Sequence, residues 1–284
     1  MKPAEIIKNI EKKGNLKDPN IGILTDWIID NLGKNNFQEF VSAINEDEII
    51  TVTPEGKKEG KLFFTKLRYS SFFNGLAIKY THKGWYEESK IIFETILKRT
   101  PNEVNSLNDF GTSLLHKIET LYRLNAKIDK KELDKSRKLI FKAYRYDKKV
   151  HEDWRDKPSY KNLCYLRAIE SIFYYNMKDS FTSFVLAWMS IEMSLYRIWY
   201  QYLIQDDKIG KKSKLKDLMR WDTDYILQTL CLNNFSAIVK IKNDLDTLKG
   251  LRNKLFHGDI DNPSTGQTKH CLETALKLTH IFVN

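Results

Sequence analysis

The residues best suited to chemistry lie in the run LKGLRNKLFHGD (248–259), where a guanidinium, a carboxamide and an imidazole fall close together. On an α-helix turning about 100° per residue, Asn253 and His257 share a face one turn apart, and Arg252 stands at its edge. Gly258 is the residue type expected just past a helix end. An imidazole exchanges protons near neutral pH, and a guanidinium grips a phosphate through two N–H groups. Such a trio could move a proton to or from a hydroxyl while neutralising charge on a phosphate. The same residues also suit a plain helix end, because the helix dipole favours cations there.

A second candidate is Glu192, the only acid in SFTSFVLAWMSIEMSLYRIWYQYLI (180–204), where Arg197 is the only base. A charge in so apolar a helix is costly unless paired or set in a cleft. Glu192 therefore pairs with Arg197, lies on a narrow solvated stripe, or serves a site.

The elements that must position these groups are helices. The 180–204 segment, apolar nearly all round, is expected to be a central core helix. A basic connector, KIGKKSKLK (208–216), follows. Next come a helical stretch near DLMRWDTDYILQTL, a long helix from about 235 to 257, and a final one over TKHCLETALKLTHIFV.

RNKLFH in this setting resembles the motif of the HEPN superfamily, an Arg followed after four to six residues by His, often as Arg-Asn-x-x-x-His, late on a long helix of a four-helix bundle. The resemblance covers roughly residues 160–284. It implies a metal-independent endoribonuclease with no cofactor. His257 would be the general base or acid, Arg252 would stabilise the phosphorane charge, and Asn253 would orient the phosphate or the imidazole. The position of Glu192 also fits. The products would be a 2′,3′-cyclic phosphate and a 5′-hydroxyl. Family members typically pair two motifs across a two-fold axis, which implies a homodimer through the C-terminal bundle. Many are toxins or antiviral effectors, and some have lost catalysis. Two other readings stay open: a non-catalytic scaffold in which His257 is only a cap, and nucleotide binding without cleavage.

Other chemistries find no support in the sequence. There is no HExxH for zinc, no GxxxxGK[ST] or GxGxxG to cradle phosphate, and no GxSxG elbow. The other histidines (His82, His116, His151, His270, His280) show no metal-ligand spacing. Three scattered cysteines (Cys164, Cys231, Cys271) make no disulfide framework and are expected to be buried thiols.

The net charge of +10 is concentrated. Residues 122–178 carry 16 Lys/Arg against 8 Asp/Glu, while residues 1–121 are balanced at 17 against 17. A localised basic excess suits an anionic partner, RNA before acidic protein, with a solvated Lys-rich face as the alternative. The expected RNA contacts are Arg145, Lys148 and Lys149 in this middle segment, and Lys211, Lys212 and Lys214 in the connector. No apolar run reaches the roughly 18 residues of a membrane span, and the N-terminus alternates charges where a signal peptide would be apolar. A cytoplasmic protein without membrane contact is expected.

The 284 residues suit two domains, and only 12 Gly and 6 Pro break them, which argues for helix over many short strands. From Phe73, the apolar positions Phe73, Leu76, Ala77 and Tyr80 precede Gly84; Tyr86, Ser89, Phe93 and Ile96 follow it before Pro101. This pattern resembles the tetratricopeptide repeat: Gly84 makes the turn, and Ala77 with Ser89 lets two helices approach. A second unit joins Leu107, Phe110, Gly111 and Leu114 to Ser136, Ile140 and Ala143, over a connection too long for the period. Earlier, ILTDWIIDNL and NFQEFVSAI suggest helices, and VTPEGKKEGK (52–61) a loop. Stacked hairpins often offer a surface to a protein or peptide partner, or act as a support alone. The expected architecture is all-α: a tetratricopeptide-like hairpin stack over 1–157, then a HEPN-like four-helix bundle over 158–284.

Overall fold

The computed structural model describes residues 73–151, 154–205 and 222–281, together with Thr25 and Ile29. The secondary structure among them is entirely helical, and the protein is all-α. The chain divides into two compact units, 1–117 and 118–284.

In the first unit, α1 (helical over 73–82) and α2 (Tyr86–Arg99) form a hairpin, and α3 (Val104–Arg123) follows. Gly84 makes the turn at φ +77°, a left-handed conformation that a side chain would strain. Thr81, Ser89 and Ser113 form a buried hydroxyl cluster where the three helices meet: Thr81 Oγ1 lies 2.8 Å from Ser89 Oγ and 2.6 Å from Ser113 Oγ. Ser89 Oγ donates to the Ala77 carbonyl at 2.8 Å, so small residues here bring backbone within reach of a neighbouring side chain. Phe93 and Phe110 stack with centroids 5.2 Å apart. Thr25 and Ile29, one turn apart, are helical and buried; the remainder of ILTDWIIDNL, NFQEFVSAI and the loop at 52–61 lie outside the described residues.

The second unit contains α4 (Lys130–Val150), a 3₁₀ turn (Trp154–Asp156), α5 (Pro158–Asn176) and α6 (Ser180–Gln205). After the connector come α7 (Thr223–Leu232), the one-turn α8 (Ser236–Val239), α9 (Lys242–His257) and α10 (Thr265–Thr279). Helices α5, α6 and α10 pack on one another; α4 lies on α5, α7 on α6, and α9 on α10. Serines close the α5–α6 interface: Ser171 and Ser183 each donate to the other's carbonyl, at 2.8 and 2.9 Å, and Ser190 donates to the Cys164 carbonyl at 2.8 Å.

Two boundaries differ from the sequence reading. The division falls inside α3 rather than at 157/158. The Lys-rich α4, read as part of the repeat region, buries a stripe of Leu133, Ser136, Ile140, Ala143 and Asp147, spaced alternately three and four residues apart, and packs on α5. The long helix expected over 235–257 is broken at Lys240 and Ile241. There the Ile241 N–H reaches back only to Ile238, before Leu245 bonds to Ile241 and starts α9.

Candidate functional site

Helix α9 is held at several points. Leu245, Leu248 and Leu255 are buried, Asp244 meets His270 of α10 at 3.2 Å, and Lys249 is ion-paired with Asp224 of α7. Its end is a Schellman motif: Gly258 stands at φ +80°, its N–H bonds to the Leu255 carbonyl at 3.4 Å, and the Asp259 N–H bonds to Lys254 at 2.9 Å. These bonds occupy the last carbonyls with backbone partners. The side chains of the final turn are left for other uses.

That turn carries the expected trio. Arg252 is half-buried, its Nη1 donates to Asn253 Oδ1 at 3.1 Å, and its guanidinium lies 4.8 Å from the centroid of the Phe256 ring. Arg252 Nε is buried without a hydrogen-bond partner. His257 is exposed and makes no hydrogen bond or ion pair among the described residues. Asn253 therefore orients the guanidinium, not the imidazole. The arrangement offers a fixed cation beside an accessible proton carrier.

Glu192 is half-buried on α6 and accepts a hydrogen bond from Thr223 Oγ1 at 3.2 Å. It does not pair with Arg197. That guanidinium is 2% exposed and donates to Gln201 Oε1 at 3.0 Å and to the Ile281 carbonyl at 2.8 Å. The first turn of α7 carries both Thr223, which holds Glu192, and Asp224, which holds Lys249 one turn before Arg252 and Asn253. Glu192 thus helps to seat α7, which in turn fixes α9.

Arg145, Lys148 and Lys149 are exposed on the last turns of α4. Lys148 Nζ lies 6.0 Å from the centroid of Tyr144 and 5.5 Å from that of Trp154. Lys211, Lys212 and Lys214 lie outside the described residues.

Two clusters escaped the sequence reading. In one, buried Glu119 accepts two hydrogen bonds from Arg123, at 3.0 and 2.7 Å, and one from the Tyr165 hydroxyl, and its Oε2 lies 3.2 Å from His280 Nε2. Burial alone would raise this carboxyl, but the His280, Tyr165 and Arg123 bonds outweigh it and bring its pKa to about 2. Both oxygens are occupied, so the cluster works as a joint between helices. In the other, Arg155, Lys161 and Arg197 converge with Trp154, Tyr160 and Tyr196 near the start of α5. Neither cluster has a local motif, because its members come from different helices; only the fold joins them.

Among the described residues, no three of His, Cys, Asp or Glu gather to hold a metal ion, and no helix is long and apolar enough to cross a membrane. Cys164 and Cys271 are buried free thiols, and Cys231 is a half-buried one. Comparison with family models, with curated proteins and with solved structures finds no match to this chain.

Proposed function

We propose that the chain is a metal-independent endoribonuclease whose reaction centre is the last turn of α9. The observation that carries this reading is the pairing of an exposed, unpartnered His257 with a guanidinium already braced by Asn253 and Phe256. His257 takes the proton of a ribose 2′-hydroxyl as that oxygen attacks the adjacent phosphorus. The P–O5′ bond breaks, a proton goes to the departing 5′ oxygen, and a 2′,3′-cyclic phosphate remains. Arg252 meets the charge growing on the non-bridging oxygens, and its bond to Asn253 holds it in orientation before the substrate arrives.

One imidazole cannot conveniently remove one proton and supply another in the same event. Two copies related by a two-fold axis supply two, and an isologous pairing of the second unit would achieve this. Phe256, 56% exposed beside the trio, is an apolar contact available to such a pairing. A toxin or antiviral role remains part of the same proposal.

The competing reading, a non-enzymatic interaction module, draws on the Schellman end of α9, where His257 would serve as a terminal cation in the helix dipole. Incubation of the purified chain with mixed RNA in excess EDTA separates the two. The ribonuclease reading expects 2′,3′-cyclic phosphate ends, and intact RNA favours the interaction module.

A further inference from the structure

The cation and aromatic cluster at the start of α5 lies on other helices than the α9 trio. Arg155 lies 3.9 Å from the centroid of Trp154 and 5.5 Å from that of Tyr196, so its planar guanidinium sits between two rings. Lys148 lies 5.5 Å from the same indole. Trp154, Arg155 and Tyr196 are all half-buried, so the face is built, not a fringe of loose surface side chains.

Beneath it the charges are poorly compensated. Arg197 bonds only to neutral oxygens, and its Nε is buried with no hydrogen-bond partner. A buried guanidinium without a bonded carboxylate is costly. Burial draws the Lys161 ammonium down to about 8, and repulsion from Arg197 adds to it. Helix α5 starts with Lys157 as an uncapped N-cap, Pro158 in its first turn and no acid there, so its positive dipole end lies among these cations. Two acids stand near: Asp156, which accepts from Gln201 at 3.0 Å, and Asp147, which accepts from Ser159 at 2.6 Å.

We infer that this face binds an unpaired nucleotide of single-stranded RNA, with its phosphate toward Arg155, Arg197 and the start of α5 and its base on Trp154 and Tyr196. The guanidinium of Arg155 occupies the place a base would take over the indole. It turns to the phosphate when a base replaces it, which uses the stacking and the charge of the same side chain. The shared chemistry is a phosphate group; the rings favour one carried by a nucleotide over a free anion. This inference rests on RNA as the ligand proposed above, but not on its cleavage.

The test uses the full chain and a single strand of about ten 2′-O-methyl nucleotides, whose attacking hydroxyl is blocked, titrated by anisotropy at several salt concentrations. The wild type should bind. Trp154→Leu should bind about 5- to 100-fold more weakly, and Arg155→Gln should lower the slope of log affinity on log salt by about one. Arg197→Met, in which an apolar side chain of similar length replaces the buried charge, should melt at or above the wild-type temperature and bind more weakly. His257→Ala should bind as the wild type does, so loss of cleavage with binding intact counts against the α9 reading alone. No binding by the wild type would overturn the inference. So would affinities of Trp154→Leu and Arg155→Gln within about twofold of it, equal binding of the duplex, or full competition by millimolar inorganic phosphate.

Discussion

His257 contributes little to the fold: it is exposed, with no hydrogen bond or ion pair among the described residues. Its replacement by Ala forfeits at most the interaction of a terminal cation with the helix dipole, about 0.3–1 kcal/mol. A general acid or base is worth roughly 10² to 10⁴ in rate. The expected outcome for His257→Ala is a loss of cleavage of that order with an almost unchanged melting curve. Arg252→Ala should lose comparable activity and somewhat more stability, about 0.5–1 kcal/mol for the contact with Phe256. Variants that melt lower and still cut would make these residues a cap. The trio was legible in the sequence because its members are neighbours on one helix, where spacing alone sets geometry. The pairing of Glu192 with Arg197 was misread for the same geometric reason: five residues on, the second side chain stands about 140° around the helix. The partner Glu192 does find, Thr223, comes from another helix across the connector.

Helix ends in this protein share one device. Gly84, Asn125, Lys178, Asn234 and Gly258 all adopt positive φ, and each closes its helix with the same pair of reversed backbone bonds. The two glycines announce themselves in the sequence. The other three do not, since Asn and Lys reach the left-handed region only at a cost of about 1–2 kcal/mol. Lys178→Gly should therefore stabilise the second unit by about 0.5–1 kcal/mol, once the extra freedom of glycine in the unfolded chain is subtracted; chemical denaturation would show it as a higher midpoint with an unchanged slope. The affiliation of α4 was hidden by composition. Its lysines dominate the sequence, yet Ile140 is fully buried and the helix packs on α5. Ile140→Ala should cost about 2–5 kcal/mol, whereas exposed Lys142→Ala should change stability by less than about 0.5 kcal/mol.

For the whole molecule, acid stability follows from the joint at Glu119. The folded pKa of about 2 lies below the ordinary 4.5, so the folded state holds this carboxylate deprotonated where the unfolded chain would protonate it. The stabilisation is complete above about pH 4.5 and is lost as pH falls toward 2. Glu119→Gln should lower stability at neutral pH by about 1–3 kcal/mol and flatten the acid limb of the second unit's melting profile. An acid limb unchanged in that variant would remove Glu119 from this role. No pattern in the chain anticipates the joint, because His280 and Glu119 are 161 residues apart. Helical class, by contrast, was readable from breaker-poor runs and their periodicity.

At the same scale, the ribonuclease reading requires two copies of α9 to meet, so light scattering at micromolar concentration should report a dimer. The most direct measurement of the central claim is cleavage of mixed RNA in excess EDTA by wild type and His257→Ala, with product ends analysed. The account predicts 2′,3′-cyclic phosphate and 5′-hydroxyl ends from the wild type and none above background from the variant. Equal cleavage by both proteins, or intact RNA with a folded wild-type dimer, would contradict it.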